Sequence, residues 1–257
     1  MRLACSSQSY VHDLNDGRLS LSDWFKLCAE DLGLAAVELE DHHIGDPTAA
    51  RLSEIRSAAD RFRLEIVNIA LMNNFGVADA AARRAEEQRT VRWMDASKTL
   101  RTRFLRTFAG WPEGDRGARW PDMLDALRHV ASAAQTAGVR LVMENHNHSG
   151  FVRTADDAEA ILDTVASPAL GLLLDTGNFL DGLPAIERTV RRAWHVHAKF
   201  TQILSDGRDA RVDYAAVIPL LRAAGYDGWV SIEYEGPEPS REAVPRALAY
   251  LRRLLAL

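Results

Sequence analysis

The chain has 257 residues, 47% of them apolar and 26% charged, a balance that excludes a disordered or fibrous polymer. The net charge of −5 removes the electrostatic case for a nucleic acid or an anionic membrane surface as partner. No apolar run is long enough to span a bilayer.

Short apolar runs at 2–5, 36–39, 66–71, 103–108, 139–143, 170–174, 193–196 and 228–232 predict eight strands. Helical patterns lie between them at 21–32, 47–61, 79–100, 120–137, 155–165, 184–192 and 213–224, and 240–256 closes the chain. Asp46-Pro47 offers a capping acid before a first-turn proline. Gly33, Gly138 and Gly225 each stand where a helix should stop and a strand begin. Eight β–α units without a linker predict one domain over 1–257, an α/β fold closed as a single (β/α)8 TIM barrel. The alternative, an open doubly wound sheet, wants a glycine-rich turn after the first strand, where Ser6-Ser7-Gln8-Ser9 stands instead. Two cysteines, Cys5 and Cys28, are too few for a disulfide framework and read as buried thiols. With no apolar leader in residues 1–7, a cytoplasmic protein is expected.

Polar residues collect just after the apolar runs: Glu38 to His43, Glu144 to His148, Asp175 to Asn178, His195 to Lys199, and Glu233 to Glu235. In a barrel these tails converge on the carboxyl-terminal mouth, where active sites sit. Strand alternation places His195, His197 and Lys199 on one face. Two glutamates, one aspartate and one histidine drawn from different strand ends suit one hard or borderline divalent cation. Mn2+ heads the expectation, with Mg2+, Co2+, Fe2+ and Zn2+ as alternatives.

With these segments in order, the sequence resembles the xylose-isomerase-like TIM barrels, the broad group of sugar (phosphate) isomerases and epimerases. The carriers are Val37-Glu38-Leu39, Val142-Met143-Glu144-Asn145-His146, Leu174-Asp175-Thr176-Gly177-Asn178, Val196-His197-Ala198-Lys199 and Ser231-Ile232-Glu233-Tyr234-Glu235. The resemblance implies Glu144, Asp175, His197 and Glu233 as metal ligands, and His146 and Lys199 as pocket residues. Two departures stand out. Asn178 replaces the histidine of many ketose epimerases, and Phe200 follows Lys199 where an acid is common.

The expected function is therefore a metal-dependent isomerase or epimerase of a sugar or related hydroxy-ketone, working through an enediolate. Glu144 and Glu233 exchange the carbon proton, Lys199 stabilises the oxyanion and His146 shuttles a hydroxyl proton. Glu38, His42, Arg106, Asn178 and His195 are the candidate substrate-binding residues. Each has a plainer alternative: His42, His43 and His148 as solvated loop residues, His195 as a hydrogen-bonded interior residue, Arg106 as one half of a salt bridge. One of Glu38 and Glu40 faces the pocket while the other pairs with a helix, and Tyr214 is either an acid or a helix-start residue. Trp111 and Phe75 wall the pocket or merely pack. The partner is a small polyhydroxylated carbonyl compound, with homo-oligomerisation left open.

Other functions compete with this one. The same scaffold also carries lyases: dehydratases or β-eliminases of keto-inositols, dehydroshikimate, keto-sugars and 3-keto-glycosides. A related barrel nuclease acting on abasic DNA would need more metal ligands and a basic groove. A non-catalytic partner subunit would not need the four-ligand set.

Overall fold

In a computed structural model, which describes residues 1–146 and 148–256, eight parallel strands close into a barrel. They are β1 (Arg2–Ser6), β2 (Ala36–Glu40), β3 (Glu65–Ala70), β4 (Phe104–Thr107), β5 (Leu141–Glu144), β6 (Leu170–Asp175), β7 (Ala193–Phe200) and β8 (Trp229–Tyr234). Closure comes from β8 on β1, with Ala4 opposite Ser231. The helices are α1 (Val11–Asn15), α2 (Leu21–Lys26), α3 (Asp41–Ile44), α4 (Ala49–Arg61), α5 (Ala80–Leu100), α6 (Arg116–Ala137), α7 (Ala155–Val165), α8 (Leu183–Thr189), α9 (Tyr214–Ala223) and α10 (Ser240–Ala256). No helix among the described residues is long and apolar enough to cross a membrane.

The eight strands lie where the apolar runs place them, but several reach further. β7 runs four residues past the apolar run, to Phe200. Its polar residues alternate into the interior, where side chains rather than water meet them, so the ladder continues through them. Helix boundaries shift for reasons of capping. The helix expected from residue 47 begins at Ala49, because Thr48, not Asp46, accepts from Arg51 N. α6 begins at Arg116 rather than 120, capped by Asp115, whose carboxylate accepts from Ala118 N. The helix expected over 21–32 passes into a π turn at Leu27–Asp31, and that over 184–192 ends in a 3-10 turn at Val190–Arg192. Gly138 ends α6 in the left-handed region at φ 70° and accepts the strand entry expected of it.

Alternation sorts the barrel into two surfaces. Outward residues such as Cys5, Val37, Leu105 and Val230 join one large core with the helices. Inward residues form two small apolar groups, Ala4, Ala36, Val67 and Trp229, and Phe104, Val142 and Leu173. These plug the amino-terminal half of the interior. One step further along the strands the inward positions turn ionisable: Glu38, Glu40, Arg106, Glu144, Asp175, His195, His197, Lys199 and Glu233 are all buried.

The plug leaves no slack on β6, where a Cβ added to Gly171 would lie 2.2 Å from the indole of Trp194. Gly171→Ala is expected to destabilise the fold by about 1–3 kcal/mol through overpacking, read from urea denaturation. An unchanged midpoint would mean that the indole swings aside freely.

Candidate functional site

Glu144 and Asp175 are the last residues of β5 and β6, while His197 and Glu233 lie inward on β7 and β8. Each of the four offers one ligand atom, and these atoms lie within 4.8 Å of one another. The spare atoms are aimed by bonds to the others. Glu144 Oε2 accepts from Arg106 Nη1 at 2.9 Å, leaving Oε1 at 3.5 Å from His197 Nδ1. Asp175 Oδ1 accepts from Gly177 N at 2.8 Å, leaving Oδ2. Asn145 brackets the Asp175 backbone, accepting from its N–H at 2.8 Å and donating to its carbonyl at 2.9 Å. Glu233 Oε2 lies 3.4 Å from His197 Nδ1. Asp175 Oδ2, Glu233 Oε2 and His197 Nδ1 have no hydrogen-bond partner of acceptable geometry among the described residues. Two carboxylate oxygens, both against the Lys199 ammonium, and one imidazole nitrogen, all buried and converging, are a donor set whose chemistry fits a divalent cation.

The Lys199 ammonium supplies the nearest fixed positive charge. It touches Glu233 and lies 3.2 Å from Asp175 Oδ2 and 3.0 Å from Glu235 Oε2. Burial opposes its charge, but Asp175, Glu233 and Glu235 outweigh burial and hold its pKa well above the ordinary value. Glu233 is correspondingly held well below its usual range: burial pushes it up, and Lys199 and His197 pull it further down. Glu144 is lowered against its own burial by Arg106 and His197. Asp175 moves the other way, raised by burial and by the neighbouring Glu233 and Glu144 despite Lys199. His197 is pushed down by burial and up, more strongly, by Glu38, Glu233 and Glu144.

The remaining predicted residues are distributed unevenly. His146 follows β5, its ring edge-on to Phe108 at 5.3 Å and to Trp111 at 5.2 Å, while Phe75 is packed away in the core. Asn178 is buried on the loop after β6, with its amide nitrogen unpartnered among the described residues. His42 is exposed in α3, its ring 4.0 Å from that of His43, and it is grouped with Glu40 and Asp41 rather than with the four-residue set. Arg106 spans two carboxylates inside the barrel, Nη1 to Glu144 and Nη2 to Glu40 Oε2 at 3.1 Å, the salt-bridge alternative. Glu38 and His195 are fully buried and bonded to one another at 2.6 Å. Tyr214 takes the helix-start alternative: its hydroxyl donates to Lys199 O at 2.6 Å and meets Thr176 Oγ1 at 2.9 Å. Three participants lacked a sequence reading: Asn145, Thr176, which accepts from Lys199 N, and Glu235 as a partner of Lys199. For Glu235 the two-residue spacing from Glu233 was the available signal.

Residues 27–254 match the family described as xylose isomerase-like TIM barrel. The chain belongs to that family. This xylose isomerase-like barrel is 26% identical over 141 residues to the inosose dehydratase of Geobacillus thermodenitrificans, a match covering 45% of the chain and 47% of that relative. The chain thus spans about half the length of the curated relatives it matches. Among solved structures it is similar to a D-psicose 3-epimerase, with TM-score 0.81, 18% identity and full coverage of both chains (100% each). It is also similar to the 3-keto-D-glucoside 4-epimerase of E. coli, with TM-score 0.80, 16% identity and coverage of 98% and 99%. The relatives are enzymes of both epimerase and dehydratase type.

Two outcomes follow for this xylose isomerase-like barrel. Asp175→Ala and His197→Ala are each expected to lose bound divalent metal by elemental analysis while keeping the native circular dichroism; full occupancy in either would remove that residue from the ligand set. For His146, burial lowers the pKa from 6.5 to about 4, with Glu144 only partly opposing. The folded state therefore disfavours its protonation, and the associated stability is present above pH 6.5 and lost as pH falls through about 4. A ring-proton NMR titration should show the low midpoint; an ordinary one would mean a solvated imidazole.

Proposed function

We propose that the chain is a divalent-metal-dependent isomerase or epimerase acting on a sugar or related hydroxy-ketone, with Mn2+ as the first choice of ion. The observation that carries the reading is the convergence of Glu144, Asp175, His197 and Glu233 within 4.8 Å at the carboxyl end of the barrel. An ion held there supplies Lewis acidity toward a substrate carbonyl, which acidifies the adjacent C–H. The chain's own groups then move the proton. Glu144 and Glu233 stand on β5 and β8, three strands apart, and both favour the carboxylate form. One removes the proton and keeps it until it is lost to solvent, while the other, having taken a proton from solvent, delivers that proton to the opposite face of the carbon. Lys199 stays charged and offers a fixed cation to the developing oxyanion. His146, neutral at pH 7, accepts a hydroxyl proton, and Asn178 presents its free amide to a substrate oxygen.

A lyase reading is favoured by one observation, the similarity to inosose dehydratases. Elimination expels a β-hydroxyl and needs a ready acid for it. His146 is an acceptor at neutral pH, which is why proton return to carbon is placed first. Cys5 and Cys28 are buried free thiols, in support of a reducing, cytoplasmic setting.

The deciding experiment incubates Mn2+-loaded protein in D2O with free ketoses, keto-acids, keto-inositols and 3-keto-glycosides, followed by proton NMR after removal of the ion. Deuterium at an α-carbon, with or without a new epimer, is the expected result. Loss of water or of an aglycone instead would establish the lyase. Inertness toward the whole panel would overturn the reading.

A further inference from the structure

Strand β2 contributes nothing to the four-ligand set, yet two of its residues brace it. Glu38 reaches across the interior to β7, with Oε1 at 2.6 Å from His197 Nε2 and Oε2 at 2.6 Å from His195 Nε2. All three side chains have no exposed surface. We propose that Glu38 is a positioning residue that fixes the orientation and tautomer of His197, and that His195 serves to hold Glu38. The inference rests on the metal-centre reading.

The argument is one of donors and acceptors. An ionised carboxylate only accepts, so each imidazole must donate from Nε2. A neutral ring that carries its proton on Nε2 leaves Nδ1 bare. On His197 that atom, bare once the ring gives up its second proton to act as a ligand, faces Glu144 Oε1 at 3.5 Å and Glu233 Oε2 at 3.4 Å, inside the ligand set. The opposite tautomer would set a lone pair against Glu38 and a proton against the site. His195 has no comparable second task. Its Nδ1 has no hydrogen-bond partner among the described residues, and its ring packs 5.7 Å from Phe104 of the apolar plug. Donation to Glu38 is its one polar contact there. With both oxygens committed, Glu38 could reach a substrate only by releasing a ring.

The second arm works on the same plan. Glu40 Oε2 holds Arg106 Nη2 at 3.1 Å, and Arg106 Nη1 holds Glu144 Oε2 at 2.9 Å, so Oε1 is the oxygen left for the site. Outer partners of this kind set ligand direction as firmly as the ligands themselves.

The test uses Glu38→Gln, which keeps the volume but offers one acceptor and one donor. It can satisfy one Nε2–H and forces the other ring to shift its proton to Nδ1. Calorimetric affinity for Zn2+ is expected to fall about 10- to 100-fold with circular dichroism unchanged. His195→Phe, which leaves the Glu38–His197 bond in place, should lose less. Independently of any variant, long-range 1H–15N spectra of the zinc-loaded wild type should show His197 bound through Nδ1 with Nε2 protonated. Coordination through Nε2, or a Glu38→Gln protein that binds as tightly as wild type although its His197 resonances show the proton moved to Nδ1, would overturn the positioning role while leaving the metal reading intact. A wild-type protein that takes up no ion would overturn both. If Glu38→Gln does not fold, the wild-type spectrum alone decides.

Discussion

Five carboxylates inside one barrel must be compensated without bulk water. Glu38, Glu40, Glu144, Asp175 and Glu233 face Arg106 and Lys199; burial pushes Asp175 up and Glu40 to about 8, toward their neutral forms, and His197, itself raised, offsets part of the remaining negative charge. Burying unpaired charge is among the largest penalties a fold can carry. Every inward ionisable group is accordingly tied to another. Arg106 joins β2 to β5, Glu38 joins β2 to β7, and Lys199 joins β7 to β6 and β8. The network runs around the barrel and holds the spare oxygens and Nδ1 pointing at one place.

The apolar plug beneath it makes this geometry rigid. Trp229, Phe104 and Leu173 fill the amino-terminal half of the interior, so the ionic layer has a close-packed floor. Helices play a quieter part. Tyr214 at the start of α9 pins the β7 backbone at Lys199 with its hydroxyl, and its ring stacks on Phe200 at 4.7 Å. Phe200 is thus a packing residue behind the lysine.

Much of this was legible in the sequence, because the two signals involved are periodic. Eight apolar runs separated by helical patterns lead to a closed barrel, and polar residues at the ends of those runs lead to its mouth. Glu144, Asp175, His197 and Glu233 stand at those ends, and it was the resemblance to the xylose-isomerase-like barrels, not spacing alone, that set them apart as ligand candidates from neighbours such as His195 and Glu38. The partners of those residues were less legible. Glu38 and His195 lie 157 residues apart in the chain, and nothing local says that they meet. Arg106 likewise reads equally well as an anion binder until Glu40 and Glu144 are seen on its two edges. Strand ends are less legible from hydropathy alone: on β7 it was alternation, not apolar character, that carried the strand through His197 to Lys199, one residue short of its end at Phe200. Helix starts depended on which of several neighbouring side chains does the capping, as with Thr48 in place of Asp46.

Lys199 gives the interior a built-in counter-ion. Its ammonium already lies against Asp175 and Glu233, two of the residues that would take the metal. The barrel therefore does not have to wait for an ion in order to close, unlike small domains whose ligands come together only around the metal. On the metal reading proposed above, an arriving ion would meet a tethered ammonium already in place at two of its ligands, and uptake would be an exchange of one cation for another within a finished cage.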